Sequence, residues 1–109
     1  MRCRGRWRDP VELADERSSI CIITAWNPWS EPRGRARNAL ANAVLSFALL
    51  RFGRVRRSVG CDREQPPRWR EPGFAVETTN PEAVARLGVR FGQHAIFVAR
   101  SSGLEVLAC

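Results

Sequence analysis

The chain has 109 residues, enough for one domain that buries roughly two thirds of the surface of its unfolded form. Apolar residues make up 44% and charged residues 27%, an ordinary balance for a soluble globular protein, and no apolar run approaches the ~20 residues of a membrane span. The formal charge of +7 comes from 18 basic residues, all arginine, against 11 acids.

Four of those arginines and no acid stand in the first eight residues, MRCRGRWR, which lowers the formal charge of the remainder from +7 to +3. Arginine binds phosphate bidentately, so nucleic acid is one alternative partner. The total absence of lysine points more simply to an arginine-rich proteome. No apolar segment follows the basic start, which argues against a secretory signal and for a cytoplasmic protein. Residues 1–18 are expected to be a basic, poorly ordered segment, and residues 19–109 a single α+β domain. Cys3, Cys21, Cys61 and Cys109 show no C-x-x-C spacing, and His94 is the only histidine. The expectation is reduced structural thiols, no metal site and no cofactor.

Residues 9–17 are polar and support one short helical turn at most. Ser19 to Ala25, SICIITA, is a continuous apolar run that reads as a buried strand, stopped near Asn27 because Pro28 has no N–H for a ladder. Ser30 is the expected N-cap of a long helix, with Glu31 and Pro32 in its first turn. Ala36, Leu40, Ala43, Val44, Phe47 and Leu50 recur at helical spacing and form its expected buried face, while Arg35, Asn38 and Asn42 fall on another. Gly53 ends this helix. Residues 54–59 read as a second strand, and 60–72 as a proline-rich loop. Phe74 to Thr78 is a third strand. Asn80 caps a second helix with Pro81 at its first position, and Gly92 ends it. Ala95 to Ala99 and Leu104 to Leu107 are two further strands around a Ser-Ser-Gly turn.

The order β-α-β-β-α-β-β matches, in its first six elements, the ferredoxin-like arrangement of one sheet with two helices. Another α+β sandwich of the same element order is the alternative. The expected core is Ile20, Ile22, Leu40, Val44, Phe47, Leu87, Phe91, Ile96 and Val98.

Four blocks, TAWNP (24–28), RARNALANAVL (35–45), WREPGF (69–74) and RFGQHAIF (90–97), resemble the signature blocks of a bacterial family, domain of unknown function 3293. They occur in the family's order, and the resemblance covers roughly residues 20–107. The chain departs from the pattern at Gly34, where the family often has an asparagine, and at Gly73, where it usually has serine. The linker between the Asn-Pro pair and the helix is also short. The resemblance implies a small bacterial protein and no known activity.

Each block carries a polar side chain beside an aromatic or a turn. Asn27 stands at the C-terminal end of a strand and the entrance to a helix, an edge where ligands tend to bind, although an Asx-turn would also use it. Asn38 is a poor helix former in a helix interior, so it either holds the Asn-Pro turn or faces solvent. Trp69 anchors its loop, and Glu71 is a salt-bridge partner or, if buried, the one weak candidate for an acid–base catalyst. Gln93 follows a helix-ending glycine and caps that helix or binds a polar ligand. Asn27, Asn38, Trp69, Glu71 and Gln93 are therefore expected to converge on one polar pocket of a small ligand-binding or interaction module. Nucleic-acid binding through arginine, and an enzyme using Glu71, are the alternatives. No P-loop or serine-histidine-acid set is readable, and the RNA-binding strand pattern lacks its second aromatic at Val76.

A chain starting at Asp9 is expected to bind generic RNA or DNA weakly at physiological salt, because most of its excess charge is gone. Filter binding at several salt concentrations checks this, and nanomolar affinity with a steep salt slope would contradict it.

Overall fold

Ser19–Ile23 (β1) is buried along nearly its whole length and lies at the centre of a five-stranded antiparallel sheet. The computed structural model describes residues 9–61, 64 and 68–109. The other strands are Val55–Cys61 (β2), Arg70–Thr78 (β3), Ala95–Arg100 (β4) and Gly103–Ala108 (β5), in the spatial order β2-β3-β1-β4-β5. Ile23 stands opposite Phe74 of β3, and Cys21 stands between Val76 of β3 and Val98 of β4. The first four strands thus form the ferredoxin-like sheet, with β5 added as an edge.

Two helices, Arg35–Leu49 (α2) and Pro81–Arg90 (α3), share one face of the sheet. Leu45 and Leu49 of α2 and Val84 and Leu87 of α3 pack there on Cys21, Ile23, Val76, Ile96 and Val98. Burial in this layer pushes the Cys21 thiol up to about 12, as suits a structural thiol. Asn80 caps α3 as expected: its side chain accepts from the Ala83 N–H, and Pro81 occupies the first turn. Of the N-terminal segment 1–18, residues 1–8 lie outside the described residues. Pro10–Leu13 forms a single turn (α1), and Val11 and Leu13 pack on Ile20 and Ala99 on the other face of the sheet.

The long helix differs from expectation in start and orientation. Gly34 and not Ser30 is its N-cap, and Pro28–Ser30 is a separate 3₁₀ turn. Asn38, Asn42, Leu45 and Leu49 face the sheet, while Leu40, Val44, Phe47 and Leu50 are 67%, 53%, 76% and 62% exposed. The helix is turned by about half a revolution from the face that hydrophobicity selects. The cause is polar: Asn42 and Asn38 accept from the N–H groups of Ala25 and Asn27, which no other acceptor satisfies, and an orphaned buried N–H costs about 1–3 kcal/mol. Of the remaining expected core, Ile20, Leu87, Ile96 and Val98 are buried, whereas Ile22 and Phe91 are half-buried. The proline-rich loop is also shorter than expected. β2 runs on to Cys61 and β3 starts at Arg70, so Glu71 sits in a strand opposite Gly60.

Leu45→Ala or Leu49→Ala is expected to lower the unfolding free energy by about 2–5 kcal/mol. Phe47→Ala is expected to change it by less than about 0.5 kcal/mol. Urea denaturation of the dilute chain separates these outcomes.

Candidate functional site

Strand β1 stops pairing at Ile23, two residues before the apolar run ends. From there side chains take the place of a neighbouring strand. The Thr24 hydroxyl donates to the Pro72 carbonyl (2.7 Å) and accepts from the Trp26 N–H (3.0 Å). The Ala25 N–H donates to Asn42 Oδ1 (2.8 Å), and the Asn27 N–H donates to Asn38 Oδ1 (2.9 Å). Two residues of extended chain rise about 6.6 Å and four residues of helix about 6.0 Å. An i, i+4 pair of asparagines therefore matches an i, i+2 pair of backbone donors. Asn42 Nδ2 also donates to the Pro72 carbonyl (3.0 Å), which ties α2 to β3.

Asn27 then turns the chain in the left-handed region (φ 45°, ψ 64°), a conformation asparagine tolerates. Trp29 (φ 59°) and Ser30 (φ 61°) follow in the same region, where a bulky residue is strained by about 1–3 kcal/mol. The turn is held from two sides. Asn27 Oδ1 accepts from Asn38 Nδ2 (2.8 Å) and from the Arg33 N–H (3.0 Å). On the other side the Trp29 N–H donates to the Gly92 carbonyl (2.6 Å). Gly92 has φ 69°, and a Cβ there would stand 2.6 Å from the Pro28 Cβ, so only glycine allows this approach. Gln93 Nε2 donates to the carbonyls of Phe91 (3.1 Å) and Trp26 (3.3 Å), linking the end of α3 to the same turn.

A cleft of about 380 Å³ lies over this junction, lined by Trp26, Asn27, Ser30, Glu71, Gly92, Gln93, His94 and Ala95. Three of the residues expected to converge, Asn27, Glu71 and Gln93, share it. Asn38 reaches Asn27 but is 1% exposed beneath the turn. Trp69 does not line the cleft; it is half-exposed, with its ring over Gly60. Trp26, Ser30 and His94 are not among the expected site residues; Trp26 and His94 adjoin Asn27 and Gln93, and Ser30 follows Asn27 by three residues. His94 meets Trp29 edge-on, with ring centroids 5.6 Å apart. The expected salt bridge of Glu71 does not form among the described residues, whose ion pairs are Arg68–Glu64 and Arg100–Glu105. Burial without a cation holds the Glu71 carboxyl above its usual range.

With their inner atoms engaged, the side chains present a defined set to the cleft. Asn27 has its NH₂ group left, Gln93 has its Oε1, and Glu71 has both carboxylate oxygens. Among the described residues no group of three histidine, cysteine or acidic side chains is placed to hold a metal, and no helix is long and apolar enough to cross a membrane.

A family model described as "Protein of unknown function (DUF3293)" matches residues 23–96. The chain belongs to that family. The DUF3293 match opens at the last residue of β1 and closes in β4, so it takes in the Asn-Pro turn, both buried asparagines, Glu71 and Gln93. No curated protein and no solved structure matches the chain.

Asn42→Ala would orphan the Ala25 N–H, at about 1–3 kcal/mol, and leave the Pro72 carbonyl only its bond from the Thr24 hydroxyl. Gly92→Ala would force the two turns apart. Both are expected to lower the denaturation midpoint, and Gly92→Ala is expected in addition to shift the amide resonances of Pro28's neighbours in a nitrogen-15 spectrum.

Proposed function

We propose that this DUF3293 protein is a small ligand-binding module whose cleft takes a polar molecule bearing a hydrogen-bond donor, best a protonated amine. One observation carries the reading: in a chain with 18 arginines, the half-buried Glu71 carboxylate faces a cleft with no cation or donor bonded to it among the described residues. An amine seated there supplies the missing positive charge, and Gln93 Oε1 supplies a second acceptor. Trp26 gives the cleft an apolar wall against the carbon frame of the ligand.

A second reading, acid–base catalysis by Glu71, is favoured by the upward shift of the same carboxyl, which brings its proton exchange closer to neutral pH. The two readings part in Glu71→Gln. Loss of amine affinity supports binding through charge; retained affinity supports a carboxyl whose work is proton transfer.

Titration with methylammonium, guanidinium and a diamine is expected to shift the Asn27 and Gln93 side-chain amide resonances, and acetate is expected to leave them in place. Amine affinity falls as pH drops through the raised Glu71 pKa, because protonation removes the charge. The same shift has a stability sign. Glu71 binds its proton more tightly folded than unfolded, so its charged form weakens the fold above the raised folded pKa and not below the ordinary range of a glutamate. Glu71→Gln is therefore expected to raise the denaturation midpoint at pH 8 and to leave it unchanged at pH 4.

A further inference from the structure

The outward face of α2 bears Ala36, Leu40, Ala43, Phe47 and, at the C-cap, Leu50. Their spacing is four, three, four, three, the a/d repeat of a helix that packs along another helix. Large residues alternate with small ones: Leu40 and Phe47 stand as knobs, and Ala36 and Ala43 leave room between them for knobs from a partner. Val44 widens the stripe. The large residues are more than half exposed, on the side opposite the buried Asn38, Asn42, Leu45 and Leu49. Lone exposed apolar residues are ordinary, but a continuous helical stripe is not.

The charge around this stripe is one-sided. Residues 33–51 contain four arginines and no acid, whereas the rest of the chain from Asp9 onward holds ten arginines against eleven acids. Arg37 and Arg51 flank the stripe beside Val44, and Arg33 and Arg35 lie at its N-terminal end. None of these four forms an ion pair among the described residues; Arg51 instead stacks on Phe52 at 4.9 Å.

We propose that this face docks an amphipathic helix of a partner protein, with apolar residues at a and d positions and acids flanking them. Charge selects that occupant over a second copy of this chain. An antiparallel pair of α2 helices would set Arg37 against Arg51, and a parallel pair would set the basic N-terminal turns together. Like charges across an interface oppose association. The knob-and-space alternation selects a helix over a lipid surface, which has no use for it. The surface is independent of the cleft, so the two proposals stand or fall separately.

The test uses the full chain and a synthetic three-heptad peptide with leucine at a and d and glutamate at e and g. A control peptide carries lysine at e and g. The glutamate peptide is expected to bind saturably by fluorescence anisotropy, more weakly as NaCl rises. The lysine peptide is expected not to bind. Phe47→Asp or Leu40→Asp is expected to weaken binding at least about tenfold with the denaturation midpoint unchanged, since both side chains face solvent. The double variant Arg37→Glu, Arg51→Glu is expected to exchange preference toward the lysine peptide. The proposal is overturned if neither peptide binds, or if the Phe47→Asp chain binds as the parent does. It is also overturned if the chain prefers phosphatidylglycerol vesicles or a uridine 20-mer to the peptide, or if sedimentation shows a dimer that Phe47→Asp dissolves.

Discussion

Four hydrogen bonds from two asparagines determine how this chain is arranged. Asn38 and Asn42 hold the N–H groups of Ala25 and Asn27, the side chain of Asn27 and the carbonyl of Pro72. Through them α2 is rotated, β1 is carried beyond its last paired residue, and β3 is tied to both. Leu45 and Leu49 then supply the apolar contact of the same helix face. A helix set by apolar burial alone would turn its other side inward and leave the Ala25 and Asn27 N–H groups dry. Polar satisfaction wins because each orphaned group costs about as much as one buried aliphatic side chain contributes.

The cleft follows from that arrangement. The Asn-Pro turn is strained at Trp29 and Ser30, and strain persists only where surroundings over-determine it. Here the surroundings are Asn38 beneath, Gly92 against Pro28 and Gln93 across the Trp26 carbonyl. The side chains that line the cleft thus sit on backbone fixed from two helices and two strands. Rigid support of this kind is what a polar binding site needs, because a displaced donor or acceptor loses its partner.

Much of this was legible in the residues. Strand and helix order came from apolar runs and from Pro, Gly and Asn punctuation, and Asn80-Pro81 marked the start of α3 correctly. Asn27 and Gln93, which line the cleft with Glu71, are readable as residues at the ends of elements, whereas Glu71 falls in the expected loop. The face of α2 was not. Asparagine at a core position is indistinguishable by hydropathy from asparagine in water, and only the carbonyls and N–H groups it meets reveal the difference. Ser30 misled for a related reason: it has the chemistry of an N-cap, but the chain spends Pro28 to Ser30 on a 3₁₀ turn before α2 begins. Glu71 falls in the expected proline-rich loop of residues 60–72, yet β3 runs through it.

The central position of β1 has a consequence for synthesis. It is made early, but its neighbours come much later: Val76 of β3 follows Cys21 by about fifty residues, and Val98 of β4 by more than seventy. Until they emerge, an isoleucine-rich segment has no strand to pair with, and distant pairing of this kind slows folding.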